Sequence, residues 1–213
     1  MVSSLLKLYE YDMLADSVKR HSERVSECAV VMAKYAMPDL QAEYDGLSSE
    51  ELIEAISTGC LCHDIGKLFY PSVVIGTREN INPVARSHVI LGHFRAEECS
   101  RVSFVNKQYN RVISDIILSH HEQHDGKGYP NGLSAEDIPA SASLCAIANK
   151  LDNLYGAYGT ARDDGFEFVE GIMKAQSGLY FAPQAVEWFV AAKDELAELY
   201  ISRYKYAKYQ EYY

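Results

Sequence analysis

Positive charge is scarce in this 213-residue chain. Lys and Arg number 20 against 30 Asp and Glu, which leaves a formal net charge of −10. That balance argues against non-specific binding to nucleic acid or to an anionic membrane. Long apolar runs are missing too: none approaches the ~20 residues that a membrane-spanning helix needs. Met1 to Lys7 carry no basic region followed by an apolar stretch, so no signal peptide is evident. Cysteine is sparse and odd in number, five residues with no framework spacing, which excludes a disulfide scaffold and suggests a reducing cytoplasm. Cys60 and Cys62 stand too close together for paired zinc ligands. Cys28, Cys60, Cys99 and Cys145 read as small core residues. Alternating runs, internal repeats and low-complexity linkers are also absent, so neither a β-rich fold nor a repeat array is expected.

What remains is a helical chain with a sizeable core. The apolar share is 48%, and the length suits one domain with a helical extension. We divide it at residue 160, with 1–160 as the domain and 161–213 as a C-terminal extension packed on it. Val18, His21, Val25, Cys28 and Met32 recur at three- and four-residue steps and make one buried stripe, closed by Pro38. Ser48 and Glu51 form a capping-box pattern that opens a helix through Leu52, Ile56 and Cys60 to His63. Asn82-Pro83 starts another, with Val84, His88 and Leu91 on one face. Tyr109, Ile113, Ile116 and His120 mark a fourth. A turn-rich loop, Asp125 to Gly132, interrupts the pattern. Helix resumes near Ser141 with Leu144, Ala148, Leu151 and Tyr155 as its stripe, followed by a glycine-punctuated stretch from Gly156 to Gly165. Two further helices are expected over Phe166–Ala175 and from Pro183 to about Tyr206. The tyrosines at the end (Tyr200, Tyr204, Tyr206, Tyr209, Tyr212, Tyr213) suit a packed or partner-facing helix end. Between Lys67 and Lys127 the chain is locally basic, with Arg78, Arg86, Arg95, Arg101, Lys107 and Arg111; this segment reads as a solvated mixed surface or as a contact for an anionic ligand.

Metal-binding residue types sit on or beside these stripes: His21, His63 with Asp64, His88, His120 with His121, and the Asn149/Asp152 face. One histidine on an apolar stripe is ordinarily a hydrogen-bonded core residue. Five together would leave many ring nitrogens to satisfy, and one or two metal ions would satisfy them jointly. Imidazole with carboxylate suits Fe, Mn, Co, Ni or Zn better than Mg.

These pieces resemble the HD superfamily of metal-dependent phosphohydrolases, in its HD-GYP branch. The resemblance rests on His21-Ser22-Glu23-Arg24-Val25, His63-Asp64-Ile65-Gly66-Lys67, His88 with Gly92, the block from His120-His121-Glu122 through Asp125-Gly126-Lys127-Gly128-Tyr129-Pro130, and Ala146 to Leu154. It covers roughly residues 15–155 and implies an all-α, HD-domain helical bundle. It further implies His21, His63, Asp64, His88, His120, His121 and the Asn149 position as metal ligands, with Asp64 shared between two ions, Fe or Mn foremost. Lys67 would position phosphate or the attacking water. Gly126, Gly128 and Pro130 would shape a loop near the site, and Lys127, Tyr129 and Arg162 would meet the substrate.

The chain departs from the family's pattern in three places. Asn149 stands where the family carries an aspartate ligand; Asp152 lies on the same helical face, but the family commonly carries an acidic residue there as well, so it is not read as a new replacement. Ser17 stands where some members carry a glutamate that helps hold a third metal, so two metals are expected. In Tyr155 to Arg162 the family's basic run is reduced to Arg162. The expected function is hydrolysis of a small anionic nucleotide, a cyclic dinucleotide such as cyclic di-GMP, by a hydroxide held between two metals. The alternatives are an HD-family phosphohydrolase acting on another nucleotide or phosphoester, and an impaired signalling or binding module. The chain carries no recognisable receiver, membrane or cyclase segment, so a signalling protein partner is expected, and a homodimer is also carried.

Overall fold

The computed structural model describes residues 11–70, 83–101 and 106–210, with 83 and 203–210 as backbone only. Met1 to Lys7, Arg78, Asn82 and the side chains of Tyr204, Tyr206, Tyr209, Tyr212 and Tyr213 lie outside the described residues. Within them the fold is all-α: α1 (Asp16–Glu43), α2 (Ser49–Cys62), α3 (Pro83–Arg86), α4 (His88–Arg101), α5 (Lys107–Ser119), α6 (Ala140–Tyr158), α7 (Gly165–Lys174), α8 (Pro183–Ala191) and α9 (Lys193–Gln210). Among the described residues the only β pairing is an isolated bridge between Ser177 and Phe181. No helix among them is long and apolar enough to cross a membrane.

α1 packs against α2, α6, α8 and α9; α5 packs on α2 and α6, and α4 packs on α5 and on the turn after Asp64. Val25, Cys28, Ala29, Met32, Ala33, Ala36 and Leu40 are fully buried along one face. Pro38 does not close α1, contrary to the expectation: the helix runs on to Glu43. A proline inside a helix removes one backbone bond and costs about 3 kcal/mol or more. Tertiary contacts just beyond it offset that loss. Asp39 accepts from Trp188 Nε1 at 3.0 Å, Leu40 is fully buried, and the buried Tyr44 hydroxyl bonds Ser141 at 2.6 Å and Asp115 at 2.9 Å.

α2 begins as its sequence directs. Ser48 Oγ accepts from the Glu51 amide at 3.2 Å, and Glu51 accepts from the Ser48 amide at 2.8 Å. Leu52, Ala55, Ile56 and Cys60 anchor its buried face. The helix ends at Cys62, leaving His63 at its C-terminal cap.

The helix expected from Asn82 onward is two helices, and Val84 is not on the buried face but 57% exposed. The break falls at Ser87. Its amide bonds Val84 O, three residues back, and its hydroxyl contacts Val84 O and the Tyr70 hydroxyl, both at 2.8 Å. Such local side-chain bonds compete with the helical ladder. The long final helix is likewise divided, at Ala192, whose φ of −90° and ψ of −2° interrupt the α conformation without a proline or glycine. Gly156 lies inside α6, and the glycine-punctuated stretch begins as a 3-10 turn, Gly159–Ala161. One hydrophobic core runs through both parts of the chain: Phe166, Phe189, Leu196 and Tyr200 belong to the same cluster as Val25, Cys28 and Met32.

Candidate metal centre

Five imidazoles converge where α1, the ends of α2 and α5, and the start of α4 meet. Ring centroids lie 5.4 Å apart for His21 and His63, 4.9 Å for His63 and His120, 5.5 Å for His88 and His120, and 4.2 Å for His120 and His121. Two sets of ligand atoms emerge, His21/His63/Asp64 and His88/His120/His121, with the atoms of each set within 4.8 Å of one another. Asp64 reaches toward both. Its Oδ2 lies 3.5 Å from His63 Nε2, and its Oδ1 lies 3.3 Å from His88 Nε2.

Glycine makes this convergence possible. A side chain at Gly66 would collide with the His88 carbonyl, and one at Gly92 would press on Ile117 Cγ2 at 2.9 Å and Gly66 N at 3.2 Å. The turn after Asp64 and the first turns of α4 therefore touch backbone to backbone, which brings Asp64 against His88.

Most of the rings are oriented locally. His63 Nδ1 donates to Cys60 O at 2.7 Å, His88 Nδ1 to Ala85 O at 2.7 Å, and His120 Nδ1 to Ile116 O at 3.1 Å. A carbonyl can only accept, so each proton sits on Nδ1 and each Nε2 presents a lone pair. Those three Nε2 atoms are buried without a hydrogen-bond partner among the described residues. Buried acceptors of this kind are ordinarily satisfied, and a set of inward-facing lone pairs fits a metal ion.

The protonation states agree. Burial pushes the His63 imidazole down to about 4 and holds His120 and His121 well below the ordinary imidazole range. Burial would raise the Asp64 carboxyl, but Lys67, His63 and His88 hold it well below the usual carboxylate range. Neutral imidazoles beside an ionised carboxylate are the forms that bind metal.

Lys67 donates to Asp64 Oδ2 at 2.6 Å. Tyr129 stacks on His121, centroids 4.7 Å apart and planes inclined by 20°, and the Arg86 guanidinium lies 5.2 Å from the Tyr129 ring centre. The other two substrate residues expected from sequence are engaged in their own loops: Lys127 with Asp125 at 2.6 Å, and Arg162 with Asp164 at 2.8 Å. Asn149 is buried in α6, where its Oδ1 accepts from Asn153 at 2.7 Å. Asp152 binds protein groups: His21 Nδ1 at 2.7 Å, and Arg24 through Nε at 2.7 Å and Nη2 at 3.0 Å. Its place is behind His21, orienting that ring.

Three residues were named within motifs or a basic segment of the sequence without a role of their own. Arg24 clamps Asp152, and Arg86 faces Tyr129. Glu122, 2% exposed, accepts from the amides of Asn131 at 2.7 Å and Leu133 at 3.0 Å, and so grips the loop that carries Tyr129. A carboxylate at the start of a glycine-rich loop, where amides turn inward, was the available signal for it. Gly128 lies so close to the Glu122 and Gln123 backbone that no side chain fits, and the Tyr129-Pro130 peptide is cis.

Comparison with known proteins follows the same residues. The HD domain family matches residues 9–184. The cyclic di-GMP phosphodiesterase response regulator RpfG of Xanthomonas campestris pv. campestris is 30% identical over 75% of this chain and 42% of its own length. A 3'3'-cGAMP-specific phosphodiesterase of Vibrio cholerae is 30% identical over 85% of this chain and 34% of its own. The chain thus spans less than half the length of these curated relatives. An HDG"Y"P protein of Bdellovibrio bacteriovorus shares the fold with a TM-score of 0.58 at 18% identity, covering 92% of this chain and 59% of that one. Motif order, helical fold and family match agree: the chain belongs to the HD domain family, of the HD-GYP kind.

Proposed function

We propose that this chain is a metal-dependent phosphodiesterase that hydrolyses a cyclic dinucleotide, with cyclic di-GMP as the first substrate to test and a linear dinucleotide or GMP as product. The observation that carries this reading is Asp64, one carboxylate whose two oxygens face two separate histidine groups. His21, His63 and Asp64 would hold one divalent ion, with the Asn149 carbonyl as a further donor. His88, His120 and His121 would hold the second, sharing Asp64. Fe or Mn suits this imidazole-rich set. When bound, such a pair supplies Lewis acidity toward a phosphodiester and acidifies water.

The chain's own groups do the rest. Lys67, already beside Asp64, offers the nearest ammonium to a phosphate oxygen. Tyr129 and Arg86 form a rim in which a flat ring and a guanidinium can meet a base and a phosphate. Glu122 fixes that rim by holding two backbone amides. Lys127 and Arg162, exposed and paired with carboxylates, would join only by exchanging those partners. The Xanthomonas and Vibrio relatives are named as phosphodiesterases of cyclic dinucleotides, which supports the substrate class. We place the protein in the cytoplasm, keep 161–213 as an extension packed on 1–160, and carry a signalling partner or a homodimer as further parts of this reading.

The test is turnover of cyclic di-GMP by the purified chain with Mn²⁺ or Fe²⁺ under reducing conditions, with products resolved by chromatography. Turnover above a His63→Ala control is expected, and none above it sinks the reading. A second reading rests on Asn149, whose carbonyl is committed to Asn153. If metal binds weakly and a cyclic dinucleotide binds without turnover, the chain is a binding module.

A further inference from the structure

We propose that Tyr200, on the C-terminal helix α9, is a positioning residue for the metal centre. Its hydroxyl donates to Asp152 Oδ1 at 3.3 Å and accepts from the Cys28 thiol at 3.2 Å. Asp152 Oδ2 in turn accepts from His21 Nδ1 at 2.7 Å. The result is a directed chain of hydrogen bonds: Cys28 S–H to Tyr200, Tyr200 O–H to the carboxylate, and the His21 N–H to the same carboxylate. Arg24 supplies two more donors from α1. Tyr200 and Asp152 are 1% and 3% exposed, so water does not readily substitute for a lost partner.

His21 depends on this arrangement more than the other rings do. His63, His88 and His120 are oriented by carbonyls three or four residues away, which the helices themselves supply. His21 is oriented only as well as Asp152 is held. Arg24 holds the carboxylate from α1, and Tyr200 holds it from α9. With both in place the carboxylate plane is fixed, the proton stays on Nδ1, and Nε2 points into the group with His63 and Asp64. A carboxylate behind a metal-binding histidine fixes both tautomer and ring direction, and losing it typically weakens metal affinity 10–100-fold. Tyr200 acts one bond further out, so a smaller effect, roughly 3–10-fold, is expected from removing its hydroxyl. The inference rests on the reading that His21 is a metal ligand.

The experiment uses the full chain and two variants. Tyr200→Phe removes only the hydroxyl and keeps the ring packed on Tyr155 and Phe166, 5.0 Å and 6.4 Å away between centroids. Phe166→Leu disturbs the same aromatic cluster without touching Asp152. Mn²⁺ affinity is measured by calorimetry, thermal stability by circular dichroism, and the His21 imidazole by ¹⁵N–¹H NMR in metal-free protein. We expect Tyr200→Phe to lower the affinity of one Mn²⁺ site several-fold and to shift or broaden the His21 Nδ1 signal. Phe166→Leu should lower the melting temperature and leave both readouts at their original values. Tyr200→Phe with the original affinity and an unchanged His21 signal overturns the proposal, as does an equal loss of affinity in Phe166→Leu. A parent protein that binds no Mn²⁺ at all overturns the metal reading itself, and the His21 signal of Tyr200→Phe still reports separately on the hydrogen-bond chain.

Discussion

His88 and His120 take their orientation from carbonyls three and four residues away, whereas His21 takes its own from Asp152, 131 residues further along the chain. The two sides of Asp64 therefore differ in what they depend on. On the His88 side, nearby backbone carbonyls aim His88 and His120, and backbone carbonyls cannot be mutated away. On the His21 side, three helices must dock before one carboxylate is in place. A substitution far from the centre can loosen the second side and leave the first intact.

That contrast can be broken in graded steps. The largest effect is expected from Asp64→Ala, which removes the group shared by both sides. Metal content by mass spectrometry should fall to background together with phosphodiesterase activity; a full complement of one ion would show that Asp64 is not shared. Next comes Asp152→Asn, which should weaken one Mn²⁺ site by about 10–100-fold and leave the other unchanged. Equal weakening of both sites would erase the distinction between the two sides. Asn149→Asp acts in the opposite direction, replacing a neutral carbonyl with a carboxylate. We expect about a tenfold gain in affinity on the His21 side, worth ~1.4 kcal/mol. A loss would mean that the Asn149 and Asn153 pair is itself part of the site's tuning. The smallest effect on metal is expected from Ser48→Ala. Removing the α2 cap should cost about 1 kcal/mol in urea unfolding and leave metal affinity unchanged, because His63 sits at the opposite end of that helix.

The locally determined features were legible in the sequence. The Ser48–Glu51 capping box, the stripes of α1 and α5, and the placing of His63 at the end of its helix follow from spacing within a few turns; the helix start at His88 does not, because the local pattern reads as continuous helix across the break at Ser87. Features decided by distant residues were not. Pro38 reads as a stop because its neighbours in sequence say so, while Trp188 and Ser141, which carry the helix past it, lie far down the chain. The break at Ala192 has no local marker. Asp152 was placed on the correct helical face, but helix geometry alone does not distinguish a ligand from the partner that orients one. The same limit applies to Lys127 and Arg162. Their charge suggested contact with an anion, and short-range pairing with Asp125 and Asp164 engages both.

The span between His21 and Asp152 also sets an order of assembly. Synthesis proceeds from the N-terminus, so every imidazole of the centre emerges before Asp152 has been made, and Tyr200 emerges later still. His88 and His120 meet the carbonyls that orient them within three or four residues, while His21 must wait for a long-range contact, the kind that folding chains make late. The last-made partner in the hydrogen bonds behind His21 is thus Tyr200, on α9.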